Sequence, residues 1–196
     1  MMGIFRSPLV PGFGIALRAT LGAAILLSTG CSSTPKQVAA NWGAADNAGL
    51  ALPFFDVDVD AVCMPPVGWK PNPLKSSSNH DHQVWLSPTG DTAYGVIHFK
   101  IPLPVGQNLA FDGFLSQMKQ TEGEATLMER HDDPNLPGIR FIAAGGKYVI
   151  RGNLLVATWE GWTVYAGTLK SGPILQNELD LAVRAREHTR IGRPEN

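Results

Sequence analysis

The chain reads as an α+β sandwich, an antiparallel sheet of about six strands packed by two main helices. Three observations carry that reading. Residues 139–169 are almost continuously strand-like and are broken only at glycine-bearing points, the pattern of a chain folding back on itself. Residues 83–100 hold two further strand-like runs around Ser87-Pro88-Thr89-Gly90, a type I turn with proline second and glycine fourth. Two other stretches space their apolar residues by three and four, as a helix with one buried face does.

The folded domain is expected over residues 54–196. Residues 55–64 alternate, with Val57, Val59, Ala61 and Cys63 on one face of a single strand and Asp56, Asp58 and Asp60 on the other. The three aspartates do not make a calcium loop. A loop beginning at Asp56 needs glycine where Ala61 stands and a bidentate glutamate where Val67 stands. Pro65-Pro66-Val67-Gly68-Trp69 ends the strand, because consecutive prolines cannot continue a ladder. A polar loop through Ser76-Ser77-Ser78-Asn79 precedes the strand at residues 83–86, and residues 92–100 form the return strand of the hairpin.

Ile101-Pro102-Leu103-Pro104 then leads into a helix of about ten residues. Leu109, Phe111, Phe114, Leu115 and Met118 form its apolar stripe, Asn108 its N-cap and Gly123 its stop. Residues 125–130 read as a short strand and residues 131–138 as a polar loop with two prolines. The meander follows, with breaks at Gly145-Gly146, Arg151-Gly152-Asn153 and Glu160-Gly161; the first reads equally as a turn or as a bulge. Pro173 stands at the first turn of a closing helix. There Leu175, Leu179, Ala182 and Val183 face the sheet, while Arg184, Arg186 and Arg190 occupy the outer side and the end.

Ahead of this domain the chain has the layout of a secretory leader. Arg6 and Arg18 supply positive charge, residues 19–27 form an apolar run, and Ser28 to Gly30 are small. The run of about nine residues falls well short of the roughly 20 that a bilayer-spanning helix needs, so removal is expected rather than insertion. Leu27-Ser28-Thr29-Gly30-Cys31 resembles the lipobox of bacterial lipoproteins, in which the residue after the cut is a cysteine whose sulfur receives a diacylglyceryl group. That resemblance implies a signal peptide over residues 1–30 and covalent diacylglycerol and palmitate on Cys31, with no other cofactor. It also implies the periplasmic face of the outer membrane in a two-membrane cell, since Ser32 is not the aspartate that retains such proteins at the inner membrane. Residues 31–53, rich in Ala, Gly, Asn and Ser and carrying Trp42, read as a flexible tether.

Composition removes several function classes. Loss of the two leader arginines leaves 14 basic against 17 acidic residues, a net charge near −3 with no basic patch, which excludes nucleic acid as a partner. With Cys31 acylated, Cys63 has no intramolecular partner, and its setting in Ala61-Val62-Cys63-Met64 marks a buried small hydrophobe rather than a reactive thiol.

Met64-Pro65-Pro66-Val67-Gly68-Trp69, Val84-Trp85-Leu86-Ser87-Pro88-Thr89-Gly90, the turn Pro137-Gly138-Ile139-Arg140 and the closing helix over residues 177–188 together resemble the PsbP/Mog-type fold. The DcrB-type periplasmic lipoproteins are nearest in layout, and the likeness spans about residues 57–191. It implies an accessory, binding or assembly role without a shared catalytic site, so no catalytic residue is carried over.

The remaining chemistry is sparse. His80-Asp81-His82 aims two imidazoles to one side of an extended segment, as zinc or copper binding needs, but a third ligand must come from His98, His131, His188 or a carboxylate. The competing reading is a solvated loop after the serine run. No Gly-x-Ser-x-Gly elbow is present. Thr158-Trp159-Glu160-Gly161-Trp162 puts two of the five tryptophans at a hairpin tip, either as core anchors or as a partner contact. The expectation is a lipid-anchored, non-catalytic envelope module with a membrane and an envelope protein as partners and no small-molecule substrate. The alternative is a metal-binding envelope protein using His80 and His82.

Overall fold

The computed structural model describes residues 46–73, 80–132 and 138–192. The expected leader, Cys31, Trp42, the serine run and the prolines at 134 and 137 lie outside these residues. In chain order the elements are β1 (Phe54–Asp56), β2 (Ala61–Cys63), β3 (Lys70–Pro71), β4 (His80–Leu86), β5 (Thr92–Lys100) and α1 (Gln107–Glu122). They continue with β6 (Thr126–His131), β7 (Ile139–Gly145), β8 (Tyr148–Ala157), β9 (Glu160–Leu169), α2 (Gln176–His188) and β10 (Arg190–Ile191). The strands form an antiparallel seven-stranded sheet in the order β3-β4-β5-β9-β8-β7-β6 and a small sheet in the order β1-β2-β10. An α+β architecture is thus present, with ten described strands in place of the expected six or so.

The meander folds where short-range chemistry permits. The Gly90 amide donates to the Ser87 carbonyl across 2.9 Å, closing the β4–β5 turn with Gly90 at φ 81°, a left-handed conformation that glycine adopts without penalty. Gly145 pairs with Tyr148, so Gly146-Lys147 is a two-residue turn and not a bulge. The β8–β9 turn is Thr158-Trp159. The expected break at Arg151-Gly152-Asn153 does not occur, and β8 runs straight through it. Gly152 is there for close approach: a Cβ on it would sit 2.5 Å from the Phe141 ring on the neighbouring strand.

Because side chains alternate across a strand, the register divides the large sheet into two faces with separate cores. On one face Trp85, Tyr94, Val96, Trp162, Val164 and Ala166 pack with Leu179, Ala182 and Ala185 of α2, with Ala61, Cys63 and Ile191 of the small sheet and with Val59 of the β1–β2 turn. On the other, Ile139, Phe141, Ala143 and Leu154 lie under Phe111 and Met118 of α1. The Phe111 and Phe141 rings meet edge-on at 5.2 Å. The turn before β5 is stapled to the start of α2, where the Thr89 hydroxyl donates to Glu178 Oε2 across 2.8 Å.

Several boundaries differ from the sequence reading. The single strand over 55–64 is two strands of a hairpin, because the Asp56 carboxylate accepts from the amides of Asp58 and Val59 at 3.0 and 3.4 Å and turns the chain. Val57 is left exposed on that turn. Helix α1 has 16 residues, caps at Gly106 rather than Asn108, leaves Leu109 exposed and ends at Gly123 in the left-handed region. Helix α2 starts at Gln176 behind Leu175, so Pro173 precedes the helix rather than occupying its first turn. Arg186 is buried at 5 % exposure, because it follows Leu179 and Ala182 at helical spacing on the face turned to the sheet. Ordered structure extends back into the expected tether: Ala51 N–H donates to Pro65 O at 2.8 Å and Val67 N–H to Gly49 O at 2.9 Å, which sets residues 46–53 against the domain. Among the described residues no helix is long and apolar enough to cross a membrane.

Candidate functional site

The His80-Asp81-His82 segment is not a solvated loop but the first part of β4. His80 and His82 share a face, with ring centroids 4.4 Å apart. Their cross-strand neighbours are Phe99 and Ile97, so the ladder places apolar side chains where a further ligand would be wanted. His82 Nε2 is buried with no hydrogen-bond partner among the described residues. Burial pushes the His82 pKa down, His80 pushes the same way, and Asp81 opposes them. The neutral imidazole so favoured is the form that ligates a metal.

The three histidines considered as third ligands stand elsewhere. His98 pairs with Asp81 on the opposite face of the sheet and stacks on Trp162 at 5.0 Å with a 9° interplanar angle. His131 is on β6, the far edge strand, within 3.5 Å of Glu129. The His188 ring nitrogen Nε2 lies 2.8 Å from the Asp46 carbonyl at the end of α2. No group of three His, Cys, Asp or Glu side chains among the described residues converges on a common point.

The two tryptophans of the β8–β9 hairpin separate completely. Trp162 is 1 % exposed in the core, and its indole N–H donates to the Val59 carbonyl across 3.0 Å. Trp159 is 55 % exposed on the two-residue turn, and its carbonyl accepts from the Ile101 amide at 2.7 Å. Leu103, two residues on, is 68 % exposed. The exposed indole of Trp159 is therefore presented at one end of the sheet by backbone that is hydrogen-bonded in place.

Cys63 is buried, and burial pushes its thiol up to about 12, as expected of a structural cysteine. Beside it Tyr94 shares a 2.7 Å hydrogen bond with Thr189, the residue linking α2 to β10. Burial holds the Tyr94 phenol well above its ordinary range.

A polar group not anticipated from the sequence lies on the α2 face, formed by Arg140 of β7, Arg151 and Asn153 of β8 and Arg186 of α2. Arg140 is directly across the ladder from Asn153, and Arg151 is two residues along the same strand. Alternation along β8 and the helical spacing of Arg186 were the legible signals for it. Arginine is ordinarily an outside residue, which masks both signals.

No protein-family model matches the chain, and no curated protein matches it. Among solved structures, the solution structure of cyanobacterial PsbP (CyanoP) from Synechocystis sp. PCC 6803 aligns with a TM-score of 0.50 and 17 % identity, over 75 % of this chain and 95 % of that one. A crystal structure from Bacteroides thetaiotaomicron VPI-5482 aligns at a TM-score of 0.36 and 11 % identity, over 73 % of this chain and 48 % of that one, a likeness too slight to argue from. The chain has a PsbP-like fold.

Proposed function

We propose that this PsbP-like domain is the globular part of a bacterial lipoprotein of the DcrB type, held to the periplasmic face of the outer membrane through Cys31 and acting there as a non-catalytic binding or assembly module. The leader pattern ending at Cys31 supports the anchor. The observation that carries the binding role is Trp159. A tryptophan more than half exposed on a two-residue turn, whose carbonyl is hydrogen-bonded to the Ile101 amide, is the kind of rigid aromatic anchor that dominates protein interfaces. The partner is an envelope protein with an apolar pocket for the indole. Metabolic palmitate labelling tests the anchor: label on the wild type and none on Cys31→Ser is expected. A photo-crosslinking side chain placed at residue 159 in intact cells tests the contact. One discrete adduct, lost when the same probe is moved to exposed Val67, is expected; labelling that is diffuse or equal at both positions removes the reading.

A second reading is favoured by the adjacent rings of His80 and His82 and by the unpartnered Nε2 of His82. In it, the start of β4 supplies two ligands to a zinc or copper ion completed by a partner or by solvent. Elemental analysis of the purified protein, with His80→Ala and His82→Ala alongside, decides it: stoichiometric metal lost in both variants supports it, and a metal-free parent after growth and purification with zinc and copper present discards it.

A further inference from the structure

Asn153 is 2 % exposed, yet neither its amide nitrogen nor its oxygen has a hydrogen-bond partner among the described residues. A buried carboxamide left without partners pays the full desolvation cost of its polar atoms, and a fold normally fills such a gap. Its surroundings are cationic. Arg151 shares its strand and its face, with a buried Nη1 that also lacks a partner. Arg140 lies across the ladder, and Arg186 of α2, close enough to feel the charges of Arg140 and Arg151, has an unpartnered, buried Nε. The carboxylate set against Arg186 is Glu187, at 3.0 Å. Burial lowers the Arg186 pKa, and Arg140 and Arg151 lower it further against the opposing effect of Glu187. A guanidinium does not deprotonate in a protein, so a small anion among these groups would relieve that repulsion and fill the open donors of Arg151 and Asn153.

We propose that Arg140, Arg151, Arg186 and Asn153 form a binding site for a small soluble oxyanion, a phosphate or a carboxylate, between α2 and the β7–β8 side of the sheet. Guanidinium groups present paired N–H donors that match such anions bidentately, and the Asn153 amide adds a neutral donor that fixes orientation. The site lies on the opposite face from His80 and His82, and its standing does not depend on the role of Trp159 or of Cys31.

The test is calorimetric titration of the full-length chain in detergent with inorganic phosphate and, separately, with succinate, at fixed ionic strength. One saturable site per chain for either anion is expected, weakened about tenfold or more in Arg151→Gln and in Asn153→Leu. Arg151→Lys keeps the charge but not the fork, and recovers only part of the affinity. A melting series covers the case in which a variant folds poorly. Anion-dependent elevation of Tm in the wild type that is absent in Arg151→Gln supports the site. Absence of saturable binding of both anions up to about 10 mM, or binding unchanged in Arg151→Gln, overturns it.

Discussion

The Trp162 indole N–H and the Val59 carbonyl meet at 3.0 Å across more than a hundred residues of sequence, joining the centre of the seven-stranded sheet to the hairpin of the small one. Both residues are buried, so water cannot replace the bond. Trp162→Phe keeps most of the apolar volume but leaves the carbonyl unsatisfied, and should cost about 1–3 kcal/mol. Trp162→Ala should cost about 3–5 kcal/mol through the cavity. Trp159→Ala, on the exposed turn, should stay within about 0.5 kcal/mol. Urea denaturation of the three variants, with m-values compared, checks the order.

Gly152 and Gly95 each lie under an aromatic ring of a paired strand, Phe141 and Tyr165 respectively, and a Cβ at either would come within 2.5 Å of its ring. Gly152→Ala and Gly95→Ala should each destabilise by about 1–3 kcal/mol, with Gly152→Ala at the upper end, since the Phe141 ring is held in a packed core and cannot retreat freely whereas Tyr165 is only half-buried. Thermal unfolding followed by near-ultraviolet circular dichroism reads both the loss and any loosening of the rings.

His82 gives the stability a defined pH dependence. Its folded pKa is lowered by burial, so below the unfolded value of about 6.5 the unfolded chain takes up a proton that the folded chain refuses. The contribution is complete above that value and is lost as the pH falls from there through the lower, folded pKa. His82→Gln should therefore show a shallower fall in stability than the wild type on acidification below pH about 6.5, with parallel curves above it. Denaturation midpoints measured across this range decide the matter, and identical slopes would refute the assignment.

Cys63, with its thiol near 12, should resist alkylation at pH 8, where only about one thiol in ten thousand is ionised. Mass spectrometry of the peptide bearing Cys63 should find it unmodified by iodoacetamide in the folded protein and fully modified in urea. Rapid native labelling would mean that the β2 strand opens locally.

Much of the sheet was legible because its signals are local. The Ser87-Pro88-Thr89-Gly90 turn, the return strand over residues 92–100 and the Gly123 helix stop each depend on a few adjacent residues whose backbone preferences point one way. Where two local rules compete, the sequence pattern alone does not decide between them. Alternation in residues 55–64 resembled one strand, but the Asp56 side chain bonds to its own backbone and makes a turn. Glycine at 152 resembled a break, although its purpose is to admit the ring of Phe141 from the next strand.

The sequence by itself determined the α+β class, the antiparallel meander and the two helices, because hydrophobic period and turn chemistry act within a few residues. The leader-like pattern ending at Cys31, on which the proposed anchor rests, lies outside the described residues. Only the tertiary structure decided which of two neighbouring tryptophans is buried, that His98 and His82 lie on opposite faces, that Arg140 and Arg151 flank Asn153 on one face, and that Arg186 is buried within reach of their charges. Those outcomes depend on strand register and on the rotation of α2 against the sheet. Both are fixed by which side chains fit together across the core, a property of residues far apart in the chain.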